Sequence, residues 1–577
     1  MFKPLLHYIY IFYFILKFTK CELINENLNS NKPVINIEKI SEIRNEEKLL
    51  KNFVPVNGEG QQNMVYYTYN NLDKNVQSQV DNEDSKNNDE NKKDENKKDE
   101  NKRLKRSLEE IFPEFKNYTS QKLLMMNPSP RCKIPQRTIF FQYPSFMESN
   151  INGGVSEIEI TDKEYFVGAI QQIGLRVNST STFKSIKRAL EINNIIRLFH
   201  KDDPNLYWRN HRSKSVVQSD INKYQRVNHM LMFHEICRKH LLYKNYDIYR
   251  KKYPNDYNFM PETFTYDHFD EFKNLFKDYK VSKDNLWLIK PRNAMTGRGI
   301  RFLKNIEDVR EHDIVTRYIA DPLLINDRKF DLRFHVLVTG HDPLKIYLHT
   351  NGWAKLSTEK YDLDLDSLDN IYKHVTNMGL NLKNKQSNMT AKDIVLSFAY
   401  VKDYLKKKYN MNYSEFEEEV KDLIIKAIIT MNHLELEKQK GRNLKSNNIF
   451  DLYGIDIMVD SHFKPWLLEI NISPHLGEEN LSMERKILLS ETLVDTFNIL
   501  GMVPYSHVNG KAYEGEYEIE DPVEEAVQQS ICEFTRPLGG FERIFPLNSN
   551  IQYYKKFFKV KSPKNKALWE EIKNSKY

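Results

Sequence analysis

Cysteine is scarce in this chain, and the four present (Cys21, Cys132, Cys237 and Cys532) are widely scattered. No C-x-x-C and no metal-ligand spacing links them, which excludes a cysteine metal site or a C-x-x-C redox motif. They read as reduced thiols and favour a reducing compartment. The common phosphate-binding signatures are missing as well: there is no GK[ST], and no G-x-G-x-x-G opens a helix. Long apolar runs are absent apart from Leu5 to Phe18, which follows Lys3 and is interrupted by His7 and Lys17. That run is too short for a secure membrane span. It has the shape of a signal-peptide core without a small-x-small cleavage site, so residues 1–21 are expected to be a targeting segment. Charge of one sign is not in large excess either. The net charge is +6, and the last 27 residues, with eight lysines against Glu570 and Glu571, carry a surplus of that size. Such a tail suits an acidic partner, and the alternative is a solvated helix surface.

What is present begins with length. At 577 residues and 40% hydrophobic content the chain can bury the cores of two to four domains. Residues 22–111 show little periodicity, and Asp89 to Arg103 (DENKKDENKKDENKR) repeats opposite charges every five residues. It cannot bury apolar surface, so it is expected to be a disordered spacer. Helical spacing of apolar residues marks Ser181 to Phe199, Gln225 to Leu242, Tyr266 to Tyr279, Ser414 to Gln439 and Met483 to Leu500. His229, His234 and His240 do not share a helix face at i, i+4 spacing, so they read as surface or core histidines.

The most informative stretch is DLYGIDIMVDSHFKPWLLEINISPHLG, Asp451 to Gly477. Gly454 to Asp460 and Trp466 to Asn471 read as two strands around a polar loop, Ser461 to Lys464. A symmetric loop pairs Asp460 with Pro465, and counting back sets Asp456 opposite Glu469, with Asn471 on the face of Glu469. Two carboxylates facing one another repel. A cation between them removes that penalty, and Asp, Glu and an Asn carbonyl form a hard oxygen set suited to Mg²⁺. The alternative is a solvated hairpin face with incidental acids.

Upstream, Leu286 to Pro291 is a strand carrying Lys290, followed by a glycine-bearing loop, Arg292 to Ile300, and a strand into Phe302. Such a flap can close backbone N–H groups over phosphates, with the lysine as a point charge. Asp313 to Ile319 is the next strand. From Lys329 onward, alternation sets Lys329, Asp331 and Arg333 on one face and Phe330, Leu332 and Phe334 on the other. The basic–acidic–basic row suits anion capture, with Asp331 holding its two neighbours. A strand face with ordinary cross-strand ion pairs is the alternative. Lys345 to His349 is a strand leading to Lys355, and KHVTN (Lys373 to Asn377) is expected to be a loop.

KPRNAMTGRGI, RYIADPLLINDRKFDLRFHVLVTG, HVTN and DLYGIDIMVDSHFKPWLLEINISP occur in the order and spacing of the tubulin tyrosine ligase-like family. QRVNHMLMFHEICRKHLL and GGFERIFP (Gly539 to Pro546) resemble it as well, and the late motif is closer to its polyglutamylase branch. The resemblance covers Tyr165 to Phe545. It implies an α+β ATP-grasp fold, with nucleotide held between two α+β lobes. The lobes would be residues 276–345 and 346–510, after an N-terminal ligase domain at 112–275 and before a basic extension at 511–577. The implied reaction is ATP-dependent addition of glutamate to glutamate side chains of tubulin tails through an acyl phosphate, with Mg²⁺ as cofactor.

By position, the resemblance implies Asp456, Glu469 and Asn471 as Mg²⁺ ligands. It implies Lys290, Gly297, Arg298, Gly299, Lys329 and Asp331 as nucleotide contacts, and Thr316, Arg317, Tyr318 and Ile319 as the adenine hinge. Arg333 matches the arginine beside the reacting phosphate, and Lys329 shares the catalytic role. Lys355, Thr376, Asn377 and Lys486 match the amino-acid site. The chain departs from the family's pattern in having Lys355 for arginine, Thr316 for glutamine, and Met378–Gly379 for Tyr-Ser after HVTN. The partners implied are microtubules and free glutamate, with no nucleic acid, a monomeric state and membrane contact only through a retained N-terminal run. The expected location is the cytoplasm, with the secretory route as the alternative that the Leu5 to Phe18 run raises. A glycine or tyrosine ligase and a weakly catalytic microtubule-binding protein are the competing readings.

Overall fold

The computed structural model describes residues 121–143, short segments between 160 and 209, and residues 221–574 with gaps at 266–268, 278, 293–296, 443, 473, 475–481, 506–510 and 513–514. The targeting segment and the charged spacer expected at 1–21 and 22–111 lie outside the described residues.

Two sheets build the functional region. The smaller has four strands: β1 (Thr263–Phe264), β2 (Trp287–Pro291), β3 (Arg301–Phe302) and β4 (Asp313–Arg317), in the order β3-β2-β4-β1. Alternation divides β2. Trp287 and Ile289 join Phe272, Phe276, Leu303 and Val315 in a small core, which leaves Leu288 and Lys290 on the opposite face.

The larger, twelve-stranded sheet is centred on β5 (Arg328–His341), flanked by β6 (Trp353–Leu356) and β7 (Ile449–Val459); β8 (Pro465–Asn471) pairs with β7. On one face of β5, Phe330, Leu332, Phe334, Val336 and Val338 pack against α2 (Tyr413–Gln439). The other face changes character along its length. Lys329, Asp331 and Arg333 come first, and Leu337 then packs with α3 (Met483–Leu500). One strand therefore serves as cleft floor in its first half and as core in its second. Both helices begin where the side chains supply caps: Asn412 accepts from Ser414 N–H, and Ser482 accepts from Arg485 N–H. α3 stops at Gly501, whose positive φ of 60° and contact with the Arg536 side chain leave no space for a Cβ.

Several expectations need correction. Gln225 to Leu242 is not one helix: Arg226–Asn228 is a buried strand parallel to the start of β7, and helix resumes at His234–Cys237 and α1 (Lys239–Lys252). His229 takes a left-handed φ of 78°, and the buried Asp451 carboxylate accepts from Met230 N–H at 2.8 Å while the His229 ring lies 2.9 Å away. That tertiary anchor overrides the helical spacing. Within Ser181 to Phe199, Ile196–Leu198 is a strand parallel to 172–174. KHVTN starts inside a helical turn, Ile371–His374, and becomes loop only at Val375.

The expectation of four reduced thiols also fails. Cys132 and Cys532 form a disulfide across 400 residues of sequence, with Cα atoms 4.7 Å apart. It joins the segment before the strand Thr138–Ile139 to α4 (Pro522–Phe534). No local spacing could announce a pair that only the fold brings together. With Cys237 alone free among the described cysteines, the cysteine count no longer favours a reducing compartment. Part of the basic tail is a packed helix, α5 (Pro563–Asn574), seated on α4 through Leu568 and Ile572.

Candidate active site

Register across β6, β5, β7 and β8 lines up charged side chains on one face. Asp331 stands opposite Lys355, and Arg333 stands opposite Asp456, which in turn faces Glu469. The Arg333 fork grips Asp456 through Nε and through Nη2, the latter at 2.8 Å. Lys355 Nζ lies 2.9 Å from both Asp456 and Asp331. Thr376 donates to the second Asp331 oxygen. Gly454 leaves room for this fork, because a Cβ there would come within 3.1–3.2 Å of Arg333.

Burial pushes the Asp456 carboxyl up, but the charges of Arg333 and Lys355 outweigh it and hold the group below its usual range. Asp331 goes the other way: burial raises it despite Lys355. Asp331 was expected to hold Lys329 and Arg333. It instead holds Lys355 and Thr376, and Arg333 belongs to Asp456.

The facing of Asp456 and Glu469 agrees with the sequence count, although the register that produces it does not. Val459, not Asp460, pairs with Pro465, and a bulge between Asp456 and Ile457 restores the alignment. Leu468 is the extra residue. Asp460 instead closes the loop, accepting from His462 N–H, Lys464 N–H and the Trp466 indole.

Lys355, Asp331, Asp456 and Glu469 of this row line an open cleft between the two sheets, whereas Arg333 and Asn471 are not among its lining residues. Lys290 and Leu288 reach it from β2, and Thr316, Arg317, Tyr318 and Ile319 border it. The flap residues Gly297, Arg298 and Ile300 close over it, whereas Gly299 is not among its lining residues. Both glycines have φ of 72°, and a Cβ on Gly297 would lie 3.2 Å from Val375, so the flap rests on the Val375–Asn377 loop. Thr376 and Asn377 line the cleft, with the Asn377 carbonyl oxygen also capping the short helix Met378–Asn381.

Lys329 is only 2% exposed, and its ammonium lies 3.8 Å from the centre of the Tyr318 ring. Burial, then Lys290, pushes Lys329 well below the usual lysine range, and burial, then Lys239, lowers Lys290 to about 8. A bound anion would favour the charged form of both.

Lys486 is not among the residues that line the cleft, and neither is its predecessor Arg485, which contacts Met378. Three contributors escaped sequence reasoning. Lys239, at the start of α1, lies 2.9 Å from Glu469. His374 hydrogen-bonds the Tyr318 hydroxyl at 3.0 Å. Arg485 packs over Trp353. Lys239 and His374 fall inside blocks already singled out, but neither spacing nor charge pattern marks them.

Among the described residues no group of three His, Cys, Asp or Glu side chains could hold a metal. The set here is two carboxylates and an amide. Asn471 Nδ2 lies 3.4 Å from Asp456 and 3.2 Å from Glu469, so the three side chains converge. Two carboxylates and an amide oxygen are hard donors of the type a divalent cation takes, and in this structure Lys239, Lys355 and Arg333 balance the acids.

A family model for the tubulin-tyrosine ligase family matches residues 217–509, just over half of the chain. Mouse tubulin polyglutamylase TTLL7 is 33% identical over 302 residues, 50% of this chain and 33% of that protein. Human tubulin polyglutamylase TTLL5 is 34% identical over 315 residues, 52% of this chain and 24% of that protein. A Tetrahymena thermophila protein named as a probable beta-tubulin polyglutamylase is 28% identical over 376 residues, 60% of this chain and 31% of that protein. The chain thus spans about a third or less of the length of these relatives. The matched segment contains the smaller sheet, strands β5 to β8 of the larger one and every residue of the charged row, and on that extent of match this chain belongs to the tubulin-tyrosine ligase family.

Proposed function

We propose that the chain is an ATP-dependent amide ligase of the polyglutamylase type, joining glutamate to glutamate side chains in the acidic tails of tubulin. The observation that carries this reading is Lys355, Asp331, Asp456 and Glu469 on the floor of a cleft roofed by Lys290 and the flap, with Arg333 paired to Asp456. The names of the relatives support glutamate and tubulin as substrates. The two sheets, one small and flap-bearing, support an ATP-grasp arrangement with nucleotide between two lobes. The division between the sheets falls between β4 and β5, ahead of the boundary expected at 345, because β5 pairs with β6 and β7.

A carboxylate is a poor acyl donor. The γ-phosphoryl of ATP passes to the acceptor carboxylate, releasing ADP and leaving an acyl phosphate. The α-amine of free glutamate then attacks the acyl carbon, phosphate leaves, and the amine gives up its proton as the amide forms. Lys290 and the N–H groups of Gly297, Arg298 and Gly299 hold the phosphates, and Thr316 to Ile319 border the adenine. Arg333 and Lys329 stabilise the charge that builds on the transferred group. Asp331 fixes Lys355 and Thr376 toward the amino-acid end. Asp456, Glu469 and Asn471 would hold Mg²⁺, which when bound would neutralise phosphate charge.

Incorporation of radiolabelled glutamate and, in parallel, glycine into tubulin tests this reading. ATP- and Mg²⁺-dependent labelling by glutamate is the expected result. Labelling by glycine alone would change the amino acid, and no labelling by either would sink the ligase assignment. Action on tubulin assigns the protein to cytoplasmic microtubules, which microscopy of the full-length chain checks.

A further inference from the structure

Arg485, in the first turn of α3, is 8% exposed. Its guanidinium lies 4.7 Å from the centre of the Trp353 ring, and Trp353 stands opposite Arg333 across β5 and β6. Trp353 and Lys355 share one face of β6 by alternation, so Arg485 extends the charged row beyond Arg333. Among the described residues its polar contacts are few. Nη1 donates to the Met378 thioether at 3.4 Å, a weak acceptor, and Nε has no hydrogen-bond partner.

The neighbouring cations have acids: Arg333 has Asp456, Lys355 has Asp331 and Asp456, and Lys239 has Glu469. Among the described residues the charge acting on Arg485 is Arg333, of the same sign. A buried guanidinium beside a second one, without a counter-ion, is costly unless an anion arrives. Arg485 also lies at the opposite end of the row from Lys290 and Lys329, the phosphate end. It touches Met378, the residue that follows Thr376 and Asn377 and departs from the family's Tyr.

Resting on the ligase reading above, we propose that Arg485 binds a carboxylate of the incoming amino acid. Its planar fork supplies the paired donors that Lys355 cannot. The carboxylate is either the α-group common to all amino acids or the side-chain group of glutamate, and the two are separable by experiment.

The test is calorimetric titration of glutamate and of glycine into the full chain loaded with a non-hydrolysable ATP analogue and Mg²⁺. Arg485→Met keeps bulk over Trp353 and removes the charge. Loss of a charged hydrogen bond predicts a Kd for glutamate weaker by about 10- to 100-fold, with analogue affinity unchanged. A parallel loss for glycine assigns the α-carboxylate, and glycine binding unaltered by the substitution assigns the side chain. If Arg485→Met does not fold, as a melting curve would reveal, Arg485→Gln is read by the same criteria. Glutamate binding within twofold of wild type, a matching loss of analogue affinity, or no binding by either protein overturns the proposal. A wild-type protein that binds glutamate through Arg485 yet never joins it to a peptide removes the ligase reading alone.

Discussion

Glu469→Gln separates catalysis from stability more cleanly than any other substitution in the row. The change keeps the shape of the side chain and removes one negative charge from the pair that faces across β7 and β8. On the stability side the loss is the ion pair with Lys239, at 2.9 Å between side chains that are 27% and 30% exposed. Solvent screening limits such a pair to about 0–1 kcal/mol. Relief of repulsion toward Asp456, which Glu469 faces, offsets part of that. On the catalytic side, the loss of one group that stabilises transition-state charge costs ~3–4 kcal/mol, or roughly 10²–10³ in turnover. The assay is glutamate incorporation under saturating ATP and Mg²⁺, beside urea denaturation of the same preparation. A folded variant of unchanged midpoint that works within threefold of wild type would refute the ligand role of Glu469.

Arg333→Ala should behave differently, because it strips the fork from a buried carboxylate. Lys355 still faces Asp456, so the stability loss should fall near the lower end of the range for broken buried pairs, about 3 kcal/mol, alongside lost turnover; an unchanged denaturation midpoint would contradict the pairing. Cys532→Ser should cost about 2–4 kcal/mol, and reductant should lower the wild-type midpoint to match; a midpoint indifferent to both would argue against the Cys132 link. Burial pushes His341 down to about 3, whereas the unfolded group titrates near ~6.5. The unfolded chain therefore binds the extra proton first as pH falls, and the stability present above ~6.5 declines toward the folded value. At pH 5 the loss from this group is about 2 kcal/mol, so His341→Gln should flatten the pH profile of denaturation between 7 and 5, and an unchanged slope would exclude it.

Much of the site was legible because it is built on strands, where alternation assigns faces without knowledge of the fold. Lys329, Asp331 and Arg333 had to share a face, and so did Glu469 and Asn471. The long helices α2 and α3 were legible for a similar reason, since each carries apolar spacing over many turns behind an Asn or Ser cap. The facing of Asp456 and Glu469 was reached through two offsetting departures, a loop one residue out of register and a bulge at Leu468. Agreement there reflects where the bulge fell.

What the linear chain determined by itself was the local pattern: charged faces, apolar faces, flap glycines and the family blocks. Tertiary structure alone decided which acid each base would take. Asp331 chose Lys355 over its own strand neighbours. Glu469 took Lys239 from a helix 230 positions earlier, and among the described residues Arg485 was left beside Arg333 with no acid. It also ended a helix-like pattern at His229 and joined Cys132 to Cys532. Periodicity acts over a few residues, whereas pairing of buried charges and thiols depends on distances that exist only once the sheets and helices have packed.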